Sequence, residues 1–209
     1  MKNINRYWVL ILILVQIDLS AQNIKDKDHY DYQVREEKGD LNNDGKADKI
    51  TVKMDTINET RPFQVQIFLS QPNGKLNLAV SSDQMIEPQY PIENKGKFNG
   101  YQIPNFFIEK GILSTWSEIK SGNITYDFKY QNGNFELINV KKLTNNATKG
   151  YTDENTIFTE MNFDLIKGII TEIDEILGAE KPLSKRKKTK LIRPLPKLQD
   201  FKFSDKNLY

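Results

Sequence analysis

Apolar and polar residues alternate with a period of two through much of this chain, the pattern of strands that bury one face. Phe63, Val65, Ile67 and Leu69 alternate with Gln64, Gln66 and Phe68. Pro72-Asn73-Gly74 then predicts a turn, because Asn and Gly accept positive φ cheaply, and residues 75–80 read as the returning strand. The same grammar recurs at residues 112–117 and 123–131. In the longer stretch Ile124, Tyr126, Phe128 and Tyr130 are expected on one face, with Thr125, Asp127 and Lys129 on the other. Asn132-Gly133 predicts a second hairpin turn, returning over residues 135–140. Residues 156–163 and 169–176 make a third pair across Lys167-Gly168. Residues 164–177 are also compatible with helix by propensity, but the β-branched run and Gly168 favour strands. Residues 82–104, rich in Pro, Gly and Asn, predict a long connection. The expectation is a mainly β protein. Antiparallel sheets built of hairpins, sandwich or open-barrel-like, form a single domain over residues 22–179.

The two ends depart from this pattern. Lys2 and Arg6 precede an apolar run over residues 7–17, and Leu19-Ser20-Ala21 offers small residues before a cut. Residues 1–21 therefore read as a signal peptide cleaved before Gln22. The apolar run is about half of the ~20 residues that span a bilayer, and Gln16 and Asp18 end it. Gln22 also stands where a lipobox would need cysteine. The expected mature chain is exported, periplasmic or extracellular, and soluble without a transmembrane span. At the other end, residues 180–209 gather Lys181, Lys185, Arg186, Lys187, Lys188, Lys190 and Arg193 around Pro182, Pro194 and Pro196. One reading is weak contact with an anionic surface through Lys185, Arg186, Lys187 and Lys188. The preferred one is a solvated tail whose Leu195, Leu198 and Phe201 pack back on the domain.

Composition narrows the chemistry. There is no cysteine, which removes disulfides, thiol nucleophiles and Cys-based zinc sites. The lone histidine, His29, cannot build a site needing two imidazoles, and no nucleophile-elbow motif accompanies it. The formal net charge is +2, too small for a dedicated nucleic-acid binder. No catalytic residue is singled out.

One motif carries chemistry. Residues 39–50 read G-D-L-N-N-D-G-K-A-D-K-I, placing Asp40, Asn42, Asp44 and Asp48 at loop positions one, three, five and nine. Gly45 permits the sharp bend, and Lys46 would contribute its backbone carbonyl. A Ca²⁺ ion takes six to eight oxygens, and carboxylates crowded this closely repel one another without a cation. The first half of the loop resembles an EF-hand, but Thr51 stands where that motif has its bidentate Glu, and Ile50, Val52 and Met54 continue as a strand. The loop is closer to the D-x-[DN]-x-D-G-x-x-D element of FG-GAP and VCBS-type repeats, which joins strands. That resemblance implies Ca²⁺ held by side-chain oxygens of Asp40, Asn42, Asp44 and Asp48 and the carbonyl of Lys46. It covers about fifteen residues, and no second loop follows, so a full propeller is not expected. The arrangement also resembles small exported bacterial proteins with one such loop near the mature N-terminus.

Three functional readings follow from the sequence. The first is a calcium-stabilised, non-enzymatic binding protein with a protein or glycan partner, acting for instance as an inhibitor of another protein. The second is a hydrolase of glycans or envelope polymers working through carboxylates. The third is an envelope-associated structural protein docked by the basic tail.

Overall fold

The computed structural model describes residues 29–99, 103–119, 121–147 and 154–202, so the leader lies outside the described residues. Eleven strands are present among them. β1 (Tyr30–Gly39), β2 (Asp48–Asp55), β3 (Phe63–Ser70) and β4 (Leu76–Ser82) form a four-stranded sheet in that order. β5 (Asn105–Glu109), β6 (Ile112–Ile119), β7 (Gly122–Gln131), β8 (Asn134–Asn145), β9 (Ile157–Asp164), β10 (Ile169–Ile176) and β11 (Ser184–Thr189) form a seven-stranded sheet, also in chain order. All pairings are antiparallel and neither sheet closes into a barrel. The protein is thus mainly β, built of successive hairpins as the alternation requires.

The turn chemistry explains the register. Asn132 and Gly133 both take positive φ, 53° and 74°, the left-handed pair that lets strands of natural twist reverse over two residues. Gln131 accordingly pairs with Asn134, and β7–β8 continues to Gly122–Thr144. The connection between β4 and β5 contains only a 3₁₀ turn at Ile92–Asn94 among its described residues.

Three strands escape the alternation rule: β1, β5 and β11. Each is an edge strand, held by backbone pairing on one side, so its side chains need not supply a regular apolar face. β1 is bulged twice against β2, and its last residue lies against β5. A β-carbon at Gly39 would stand 2.7 Å from Ile108 Cγ2, so only glycine lets these edges approach so closely.

The inner faces of both sheets meet in one core. Ile50, Val52, Phe63, Val65 and Ile67 from the smaller sheet join Leu113, Ile124, Phe128, Leu137, Val140 and Phe163 from the larger. Asp127, expected on the polar face of β7, is itself buried, held by Ser114, Asn139 and Lys141 beside a bulge. The chain beyond β11 returns to this core. Arg193 donates to the carbonyls of Leu165 and Ile166, and Leu137 N–H donates to Pro196 O at 2.8 Å. Leu198 and Phe201 are buried, with the Phe201 ring edge-on to Tyr126 at 4.7 Å.

The larger sheet is wider than its core. β10 has no fully buried residue, and β11 is exposed apart from half-buried Ser184. Only Ile170 of β10 packs against the core, so β11 and most of β10 overhang the packed body.

Candidate metal centre and the charged sheet edge

The Asp-rich loop joins β1 to β2. Asn43 and Gly45 sit in the left-handed region, at φ 59° and 79°, and curl the backbone. The curl brings side-chain oxygens of Asp40 and Asn42 onto one shared amide. Asp44 N–H points at both Asp40 Oδ1 and Asn42 Oδ1, each at 3.1 Å, and Gly45 N–H donates to Asp40 Oδ2 at 2.8 Å. Asp44 Oδ1 accepts from Lys46 N–H at 2.9 Å, and its Oδ2 faces Lys46 Nζ at 3.8 Å. Asp40, Asn42, Asp44 and Lys46 therefore form one exposed to half-buried oxygen-rich turn.

Asp48 behaves differently. Its side chain is fully buried, with Oδ2 accepting from Leu41 N–H and Oδ1 from Ser70 N–H, both at 2.8 Å. Ser70 Oγ reaches back to the Ala47 carbonyl. The carboxylate thus ties the start of the loop to the end of β3. Sequence spacing pointed to Asp48 as a ligand but gave no sign of this clamp, because Ser70 lies 22 residues away. Each oxygen of the carboxylate can still accept a second interaction. The described residues contain no group of three or more His, Asp or Glu side chains drawn together as a metal cage. The donor chemistry nonetheless suits a hard cation: three carboxylates, an amide oxygen and a carbonyl within nine residues.

A second polar cluster occupies the overhang. Glu172 and Asp174 of β10 lie opposite Arg186 and Ser184 of β11. Arg186 donates to both oxygens of Asp174 and, through Nε at 3.1 Å, to Glu172 Oε2. Ser184 and Thr159 hydroxyls each donate to Asp174 at 2.8 Å. The guanidinium, then the two hydroxyls, hold the Asp174 carboxyl far below the usual carboxylate range. Arg186 also lowers Glu172, aided by Lys188 at 3.4 Å. The basic run is thereby divided. Arg186 and Lys188 are ion-paired, whereas Lys185 and Lys187 form no ion pair among the described residues.

A pH test follows from the sign of the Asp174 shift. Its depressed folded value means that its contribution is complete above the unfolded value of ~3.9 and is lost only as pH falls through the lower folded value. Hydrogen exchange of β11 amides should stay slow at about pH 3, where ordinary carboxylates are largely protonated. Asp174→Asn should speed that exchange already at neutral pH. Loss of β11 protection in the wild type between pH 5 and 4 would contradict the assignment.

Concave surfaces lie elsewhere among the described residues, one of about 520 Å³ lined by Asp83, Glu87 and Glu93. Glu172 lines a cleft of about 240 Å³ with Lys142, Thr144, Thr159, Met161 and Ile170. A cavity of about 590 Å³ lies between residues 56–61 and the segment bearing Tyr90, where Arg61 stacks on the Tyr90 ring at 5.6 Å. Of the aromatic residues, Phe106, Tyr126 and Phe128 pack in the core, while Phe107 is 57% exposed. No helix among the described residues is long and apolar enough to cross a membrane. Comparison with known proteins gives no assignment: no family model, no curated protein and no solved structure matches this chain.

Proposed function

We propose that the chain is an exported, non-enzymatic binding protein whose β1–β2 loop is fastened by Ca²⁺. The binding reading rests on the overhang: β11 and most of β10 extend the larger sheet past its core, adding surface that the packing does not need. Against a hydrolase working in the cleft on this sheet, the one carboxylate that lines it, Glu172, is ion-paired to Arg186, which lowers its pKa. A general acid needs a carboxyl with a raised pKa. Immobilised chain beginning at Gln22 should capture an envelope component that free chain displaces and that leaves covalently intact. Recovery of the component in cleaved form would overturn the reading in favour of the hydrolase.

Calcium would be held by Asp40, Asn42 and Asp44 with the Lys46 carbonyl, and by the acceptor capacity that Asp48 keeps beside its two amide bonds. The ion's role is structural. At a concentration a hundredfold above its dissociation constant, binding only the folded state stabilises it by about 2.7 kcal/mol. A rise in melting temperature of several degrees over the chelated protein is expected, absent in Asp44→Ala. Identical curves for wild type with calcium and with chelator would reduce the loop to a polar turn.

A further inference from the structure

The open edge of β11 has a backbone that can be read. Lys190 N–H donates to Gly168 O at 2.9 Å, which sets the alternation along the β10–β11 pair. In an antiparallel ladder every second residue directs its N–H and C=O at the neighbouring strand. Lys188, Arg186 and Ser184 therefore face β10, and Lys185, Lys187 and Thr189 direct theirs away from it. Beyond β11 the sheet has no further strand among the described residues.

The side chains divide the same way. Arg186 shares a face with Glu172 and Asp174 and is neutralised there, whereas Lys185 and Lys187 stand opposite Ile173 and Thr171 on the other face. The edge thus offers two lysines, two residues apart, beside an unpaired row of backbone groups. We infer that β11 receives an extended acidic segment of a partner protein as an added strand. The fitting sequence carries carboxylates at alternate positions, opposite Lys185 and Lys187, with uncharged residues between them facing the satisfied Arg186 cluster. A second copy of this chain does not fit, because β11 against β11 sets lysine against lysine. An anionic membrane fits less well, since such recognition usually uses four to eight clustered basic residues, and here two of the run are ion-paired.

The inference rests on the binding reading but uses no residue of the calcium loop. The probe is an eight-residue peptide alternating Glu with Thr, titrated into the full mature chain by fluorescence anisotropy. Its control has Pro at alternate positions and the same charge. The alternating peptide should bind at least about tenfold more tightly than the control. Thr189→Pro removes one N–H on the open edge while keeping both lysines and the pairing to β10, and should weaken binding by about tenfold or more. Lys185→Glu with Lys187→Glu should transfer preference to a peptide alternating Lys with Thr, a readout that survives if the proline variant fails to fold. Equal binding of both acidic peptides would mean charge attraction alone and overturn the inference. So would competition from phosphatidylglycerol vesicles, which would assign the edge to a lipid surface, or no peptide binding at all. If the peptide fails while envelope capture persists, only the edge assignment falls; if both fail, the binding reading falls with it.

Discussion

Replacing Asp48 with alanine should cost about 2–4 kcal/mol of stability, because the buried Leu41 amide loses its acceptor at about 1–3 kcal/mol and the half-buried Ser70 amide loses one at about 1 kcal/mol. Those amides lie at the start of the loop and at the end of β3, and Leu41 is itself fully buried. The side chain that replaces the carboxylate brings no acceptor, and the burial of Leu41 leaves little room for water to substitute. The loss should appear in denaturant unfolding both with calcium and with chelator, since the clamp works through hydrogen bonds. Asp44→Ala offers the contrast. Its carboxylate is exposed and bonds only within the turn, so in chelator the change should stay within about 0.5 kcal/mol. The difference between the two variants separates a clamp from a ligand. If Asp48→Ala were as mild as Asp44→Ala in chelator, the buried carboxylate would not hold the loop.

The second large effect lies at the far end of the chain. Phe201→Ala should destabilise the fold by about 3–5 kcal/mol, the range for deleting a buried aromatic ring. Phe201 is 4% exposed and meets Tyr126 at 4.7 Å and Phe128 at 5.8 Å, both edge-on. Removing it opens a cavity against β7, which carries both rings, and loosens a segment that bridges β4 and β8. Phe201→Leu should recover much of the loss, since it fills most of the volume without the aromatic edge contacts. Equilibrium unfolding of the two variants gives the comparison. A change below about 1 kcal/mol for alanine would mean that the segment rests on the core without completing it.

The hairpin grammar was legible in the chain because turn residues and alternation reinforce one another. Asn132-Gly133 fixes β7 against β8, Asn73-Gly74 turns β3 into β4, and Gly168, at φ 67°, turns β9 into β10. The edge strands were not legible, because β1 and β11 are charged sequences whose order comes from backbone pairing to a neighbour already in place. Ser184-Lys185-Arg186-Lys187-Lys188-Thr189 reads as a solvated tail until Glu172 and Asp174 are set across from it. The packing of Leu198 and Phe201 against the body was the expected outcome for that segment. At the loop, spacing alone marked Asp40, Asn42, Asp44, Lys46 and Asp48 as one set. The structure divides them, since only a buried acceptor can hold Leu41 and Ser70 and local spacing carries no information about Ser70. Asp127 lies on the face that alternation assigns to it, but its burial was not legible, because three cross-strand partners beside a bulge cover the carboxylate.

The order of the strands has a kinetic corollary. Every strand pairs only with strands next to it along the chain, so each pairing step closes a short loop and pays little chain entropy. The sheets can zip outward from their tight turns as independent ribbons. What remains is a seam: Gly39 against Ile108, and the Leu198–Asp200 turn against β4 and β8, contacts that join residues far apart in the chain. A refolding experiment should therefore show strand signal developing before the aromatic environment of Tyr126 and Phe128 becomes fixed, with the slower phase belonging to closure of that seam.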